Sequence, residues 1–225
     1  MPTPPELKAP FLPDSFYHMV CKSIDGILLF NEANDFKIYR ERFFEFTHSF
    51  IETWSYSLLG NHSHHVVKTK TTEQIVDIFT FKQPDKVTLA TCAFLKNPID
   101  ERLFGAMIER QMNSFLVSYA NYYNNKYMRK GGLFQKPFKR LLISDDFHLE
   151  QAIIYTHANA QKHGLIKDYR THKQSSYRGI LSGDNVFLAA GAVLKFFGSR
   201  DEFEIKHLNQ VEHYYTHSWP SSKLD

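Results

Sequence analysis

The sequence predicts an α+β protein, because segments with the period of a strand alternate with segments that have the period of a helix. Two strand-like segments, 54–59 and 62–70, are joined at Gly60-Asn61, a dipeptide that favours a tight turn. Long segments on either side of this pair carry aromatic residues at three- and four-residue intervals, as one face of a helix does. The chain has 225 residues, of which 43% are hydrophobic, and this is ample for a packed core.

The elements of the first half follow from local patterns. Residues 16–21 alternate weakly and predict the first strand, which 27–30 would continue after the Asp25-Gly26 turn. An amphipathic helix is predicted from about residue 35 to residue 52, and its aromatic stripe is expected to face the core: Phe36, Tyr39, Phe43, Phe46 and Phe50. Residues 71–100 show no readable period, and we assign no chemistry to them.

The sequence from about residue 101 onward predicts two more helices with a strand between them. Helical spacing runs from about residue 101 to residue 126, through Phe104, Ile108, Met112, Phe115, Tyr119 and Tyr122. Gly131-Gly132 ends this run, and residues 138–143 predict a strand. The last helix, 147–163, follows Ser144-Asp145-Asp146, whose oxygens can cap it, and stops at Gly164.

Composition limits the function classes. No stretch approaches the roughly 18 to 20 apolar residues of a membrane span, and the start of the chain lacks a signal-peptide pattern. We therefore expect a cytoplasmic protein with no membrane partner. Residues 1–14, which are rich in proline, are expected to be flexible. Cys21 and Cys92 form no C-x-x-C motif, which argues against a disulfide framework and against a cysteine zinc site.

Two histidines at the start of the second paired strand form a candidate metal site. Alternate residues of a strand share a face, so His62 and His64 would lie roughly 6 to 7 Å apart on one side of the sheet. His65 would then point to the other side. The pattern is short, and ordinary histidines near a strand end explain it about as well.

The last predicted helix offers reactive groups that suit such a site. Tyr155 and Asn159 are four residues apart and share a face, together with Gln151 and Lys162. A phenol and an amide oxygen brought against two histidines would supply a nucleophile, a third ligand and an electrophilic cation. The plainer alternative is that Tyr155 packs or binds water, as most helical tyrosines do.

Residues 126–140, from the end of one predicted helix into the next predicted strand, form a basic stretch. It contains no acidic residue, and its cations are Lys126, Arg129, Lys130, Lys136, Lys139 and Arg140. Glycines and aromatic residues, Phe134 among them, lie between the cations, a mixture that suits gripping phosphates and stacking bases. A solvated charged loop is the alternative, and the net charge of +3 does not decide between them.

Six segments in order resemble the motifs of one family. They are 16–20, 59–64, 119–124, 132–139, 155–160 and 174–177. The second is similar to M-P-N-H-x-H, the fourth to G-x-L-F-Q-x-R-F-K, and the fifth to Y-I-H-x-N-P. These are motifs of the REP-associated (RAYT) branch of the single-tyrosine HUH transposases. The chain departs from them at Gly60 and Ala160, where the family has proline, and at Pro137, where it has arginine.

The resemblance implies a fold and a chemistry. It implies a ferredoxin-like, RRM-like antiparallel sheet with helices on one face, a catalytic domain over residues 15–180 and a C-terminal helical extension over 181–225. Tyr155 would be the nucleophile, and His62, His64 and Asn159 would hold Mg²⁺ or Mn²⁺. The substrate would be single-stranded DNA beside a hairpin, cut through a 5′-phosphotyrosine. The expected DNA contacts are Lys126, Arg129, Lys130, Phe134, Gln135, Lys136, Lys139 and Arg140.

The sequence is also compatible with two other functions. A domesticated protein of the same fold would bind DNA or RNA without cutting it. A metallohydrolase would use the histidines with an activated water and would not need Tyr155. The sequence leaves open whether the protein is a monomer or a homodimer.

Overall fold

The computed structural model describes residues 7–217. The strands are β1 (Phe16–Lys22), β2 (Ile51–Leu59), β3 (His62–Thr69) and β4 (Lys139–Ile143). The helices are α1 (Ala33–Thr47), α2 (Thr72–Asp77), α3 (Leu89–Lys96), α4 (Glu101–Lys126), α5 (Asp146–Lys162), α6 (Tyr177–Ser182), α7 (Ala190–Phe197) and α8 (Arg200–His217).

The four strands form one antiparallel sheet in the order β2-β3-β1-β4. With α1 between β1 and β2 and α4 between β3 and β4, this is the ferredoxin-like β-α-β-β-α-β arrangement. The predicted α+β fold is confirmed. β1 and β3, the two central strands, pair along their whole lengths, so side chains from distant parts of the chain become neighbours at the middle of the sheet.

Helices cover both faces of the sheet, where the resemblance implied one. Odd-numbered residues of β1, such as Tyr17 and Met19, enter a core with α1 and α4. Val66 of β3 enters a second core with α5 to α8 on the other face. The C-terminal helices therefore complete a second hydrophobic layer, which buries side chains such as Phe203 completely.

Several boundaries differ from the predictions. Residues 27–30 are a loop, because the Tyr119 and Tyr123 hydroxyls of α4 donate to the carbonyl oxygens of Leu29 and Leu28. Helix α1 stops at Thr47, and a turn leads from it directly into β2. The unassigned interval 71–100 contains α2 and α3, which are too short to show a clear period.

The N-terminal segment is packed from residue 7 onward. Phe11 is completely buried, and the Tyr17 hydroxyl donates to the Pro10 carbonyl while accepting from the Leu12 amide. Residues 7–14 therefore contact the rest of the fold, and their predicted flexibility stays a prediction. Residues 1–6 lie outside the described range, as do residues 218–225 of the predicted helical extension. Between residues 7 and 217, no helix combines the length and the apolar character needed to cross a membrane.

Candidate active site

The β3 histidines divide between the two faces of the sheet, as the strand period predicts. His65 stacks on Phe43 of α1, with ring centroids 4.2 Å apart. His62 and His64 face the opposite layer, and their ring centroids are 5.1 Å apart. His64 is completely buried. The turn at Gly60-Asn61 starts β3 at His62, so both histidines lie at the end of the strand that meets α5.

A third histidine, which the sequence analysis did not single out as a site residue, joins this pair. His18 of β1 places its Nε2 3.0 Å from Nδ1 of His64. The two residues are 46 positions apart, and only the pairing of β1 with β3 brings them together. A tautomer of His64 that donates from Nδ1 to His18 keeps the Nε2 lone pair for a cation.

Helix α5 and its C-cap residue His163 present three residues at four-residue intervals to the histidine face. The centroid of the Tyr155 ring lies 6.1 Å from the ring centroids of both His18 and His64, and the ring centroids of His163 and His62 are 5.7 Å apart. Asn159 lies between Tyr155 and His163 on the same face of the helix. The Asp145 carboxylate fixes the start of α5 by accepting from the His148 amide.

Asn159 is a buried polar residue whose side-chain amide is suited to bind a ligand. Its side chain is completely buried, and within residues 7–217 neither its amide oxygen nor its amide nitrogen has a hydrogen-bond partner. Burying an unpaired amide costs roughly 1 to 3 kcal/mol. Such an amide fits a role in binding a cation or a substrate atom, because that contact would satisfy its oxygen.

The surroundings of His64 favour the neutral form of its ring, which is the form that binds a metal. Burial, followed by the charges of neighbouring histidines, holds the pKa of His64 well below its usual value. The Asn61 amide oxygen lies 2.7 Å from Nδ1 of His62, which orients that ring. Among residues 7–217, no group of three histidine, cysteine, aspartate or glutamate side chains is placed to hold a metal ion. Two imidazoles and the amide oxygen of Asn159 are donors of the types that divalent cations accept, so the predicted ligand set suits such a cation by donor type.

Lys162 contacts the proposed nucleophile. Its ammonium nitrogen donates to the Tyr155 hydroxyl over 2.6 Å and also lies 4.8 Å from the centre of the ring. The positive charge would stabilise negative charge on the phenolic oxygen. Gln151, predicted on the same arc, instead binds Gln210 and Tyr214 of α8, so it belongs to a helix contact and not to the site.

The fold divides the basic stretch. Lys126 forms ion pairs with Glu32 and with buried Asp35, and Arg140 is buried against Glu109. Phe134 is also buried, in the core beneath α4. The side chains of Lys126, Phe134 and Arg140 thus contact other parts of the protein, and a role for them in binding DNA stays a prediction.

The remaining members of the stretch reach the surface. Lys130, Gln135 and Lys136 are exposed, while Arg129 and Lys139 are half-buried. Arg129 donates to the side chain of Asn124, and Gln135 donates to the Ser23 carbonyl. Whether these five residues contact DNA stays a prediction.

Comparisons with known proteins support the fold. No protein-family model matches the sequence, and no curated protein matches it. A solved structure described as a REP-associated tyrosine transposase bound to a REP hairpin is similar, with a TM-score of 0.51 and 12% identity. The match covers 82% of this chain and 90% of that chain. At this identity the likeness establishes a shared fold.

Proposed function

We propose that the protein is a metal-dependent endonuclease and strand transferase for single-stranded DNA, which cuts near hairpins through a 5′-phosphotyrosine. The observation that carries this proposal is the position of α5, which sets Tyr155 and Asn159 one turn apart against the histidine face of β3. The likeness of the fold to a transposase bound to a hairpin supports DNA as the substrate class.

His62, His64 and Asn159 would hold the cation, Mg²⁺ or Mn²⁺. When bound, the cation would draw charge from a non-bridging oxygen of the scissile phosphate. Two imidazoles and one amide oxygen occupy only part of the coordination sphere that these ions prefer, so substrate and water have room to bind. His18 orients His64 through the contact between their ring nitrogens.

Tyr155 would perform the nucleophilic step. Its oxygen forms a bond to phosphorus while the bond from phosphorus to the 3′-oxygen breaks. The phenolic proton leaves to water, the departing 3′-oxygen takes a proton from water, and the Lys162 ammonium offsets the charge on the attacking oxygen. Attack by a later 3′-hydroxyl restores a phosphodiester and releases Tyr155 without ATP.

The test uses single-stranded hairpin oligonucleotides from the DNA that flanks the gene of this protein, labelled at the 3′ end. They are incubated with the protein and Mg²⁺ or Mn²⁺ and separated on a denaturing gel. We expect a labelled protein adduct with the wild type and its loss in Tyr155→Phe. Tyr215→Phe, in an exposed tyrosine of α8, is the matched control and should retain the adduct.

Two other outcomes would contradict the proposal. Cleavage that persists in Tyr155→Phe would indicate a metallohydrolase that activates water. Binding of the oligonucleotides with no cleavage by either protein would indicate a binding module on the same fold.

A further inference from the structure

A cavity of about 310 Å³ lies beside the histidine site. Its lining comes from β1, from the start of β4 and from the loop before β4: Val20, Lys22, Gln135, Lys136, Pro137, Phe138 and Lys139. Three of these residues are lysines and none is acidic. Its volume is at the low end of the range for small-ligand sites, which suits one nucleotide unit and not a duplex.

The strand register places this cavity next to the proposed metal ligands. Lys22 is paired with His62, and Val20 is paired with His64 on one side and with Lys139 on the other. Paired residues point to the same face, and neighbouring strands are about 4.8 Å apart. The floor of the cavity therefore begins one strand away from His62 and His64.

The loop that bears Lys136 is fixed to β1. The backbone N–H of Gln135 donates to the Lys22 carbonyl over 2.8 Å, and the side-chain amide of Gln135 donates to the Ser23 carbonyl over 3.0 Å. Lys22 and Lys136 thus approach the cavity from backbone segments that are bound to each other. Within residues 7–217 neither lysine is ion-paired with a carboxylate, in contrast to Lys126.

We propose that this cavity binds a backbone phosphate of single-stranded DNA, one that flanks the phosphate cut at Tyr155. Lys22 and Lys136 contact the phosphate, and the apolar floor at Val20 and Phe138 lies beneath the attached sugar. Ammonium groups that converge on one anion give strong, charge-assisted hydrogen bonds. This inference rests on the proposed function for the position of the cut, but binding can be measured without cleavage.

The test measures the anisotropy of a fluorescein-labelled oligothymidine of 12 nucleotides with the full chain in EDTA, where no metal is available for cutting. We expect Lys22→Ala to weaken binding about fivefold and to lower the slope of log K against log salt by about 0.7. Lys22→Arg should stay near the wild type. Lys37→Ala is the matched control, because this exposed lysine lies on α1 across the sheet.

Three results would overturn the proposal. The first is no measurable binding of the oligothymidine by the wild type, and the second is an equal loss of affinity in Lys22→Ala and Lys37→Ala. The third is that Lys22→Ala loses as much affinity for a duplex probe as for the single-stranded probe. Thermal melting of each variant shows that it is folded. Tyr155→Phe should bind as the wild type does, so a failure of cleavage is distinguishable from a failure of this site.

Discussion

At the scale of single residues, Lys162 distinguishes Tyr155 from the other tyrosines of the site layer. The Lys162 ammonium donates a hydrogen bond to the phenolic oxygen of Tyr155, and this oxygen would become negatively charged before attack. Tyr169 and Tyr177 lie in the same layer, and burial raises their pKa values.

Replacing Lys162 should slow adduct formation. We expect Lys162→Met to lower the rate about 10- to 100-fold, because a charge that stabilises the attacking oxygen is lost. Lys162→Arg should recover part of the rate. The measurement is single-turnover adduct formation on labelled hairpin DNA, with exposed Lys167→Met as the control. An unchanged rate in Lys162→Met would exclude this role.

Asn159 gives a test of metal binding that is independent of activity. In Asn159→Leu the Mn²⁺ affinity measured by electron paramagnetic resonance should fall at least about tenfold, because a ligand oxygen is lost. In EDTA the same variant should be at least as stable as the wild type, since an unpaired buried amide is removed. Asn159→Asp should still bind Mn²⁺. Equal Mn²⁺ affinity in Asn159→Leu and the wild type would remove Asn159 from the site.

At the scale of elements, a buried chain of hydrogen bonds connects α5 to the helices that follow it. His157 of α5 contacts His207 of α8 over 2.8 Å and Ser176, just before α6, over 2.7 Å. Ser176 accepts from the Tyr56 amide of β2. The other ring nitrogen of His207, Nδ1, is hydrogen-bonded to the Phe203 carbonyl oxygen over 2.7 Å. This network fixes the tyrosine helix to the edge of the sheet and to α8.

The network should make stability depend on pH. Burial lowers the pKa of His207 to about 3, so the folded protein keeps this ring neutral while the unfolded chain protonates it below pH 6.5. The free energy of unfolding therefore falls as the pH falls through this range. In His207→Gln the slope below pH 6.5 should be shallower by about 1.4 kcal/mol per pH unit. Urea unfolding between pH 5 and pH 7.5 measures it, and identical slopes would contradict the assignment.

A second element contact joins the start of α1 to the end of α4. Asp35 is completely buried and accepts from Lys126, Tyr122 and Tyr127. Although burial alone would raise its pKa, these hydrogen bonds bring the pKa of Asp35 to about 2. Its contribution to stability is thus complete above about pH 4 and is lost between pH 4 and pH 2.

We expect Asp35→Asn to lower the free energy of unfolding at pH 7 by about 3 kcal/mol, because it leaves Lys126 without its buried partner. Asp77→Asn, in an exposed pair with Lys82, should change it by less than about 0.5 kcal/mol. Urea denaturation measures both. Similar effects of the two variants would show that the Asp35 network contributes little.

At the scale of the whole molecule, two hydrophobic cores share one sheet. Phe115 lies in the core on the α4 side and Phe203 in the core on the α5 side. Because β1, β2 and β3 each contribute side chains to both layers, we expect the chain to unfold in one transition. Phe115→Leu and Phe203→Leu should each lower its free energy by about 1 to 3 kcal/mol. Two separate transitions by circular dichroism and fluorescence would show that the cores unfold independently.

Local sequence patterns predict most of the elements and the faces of their side chains. The bounds of α4 match the prediction, and β3 and α5 match within one residue at each end, because strong local periods and caps define them. The positions of His62, His64 and His65 on opposite faces follow from the strand period alone. The sequence pattern does not reveal the short helices α2 and α3, because each of them spans too few turns to show a clear period.

The contacts between distant side chains, in contrast, depend on long-range packing. The contact of His18 with His64 and the pairing of Lys22 with His62 depend on the register of β1 against β3, which the local pattern does not contain. The same is true of Lys126 and Arg140, whose charges look available in the sequence and form ion pairs with Asp35 and Glu109 in the fold. Register and burial result from packing the whole chain around both faces of the sheet, and a local pattern does not record that competition for contacts.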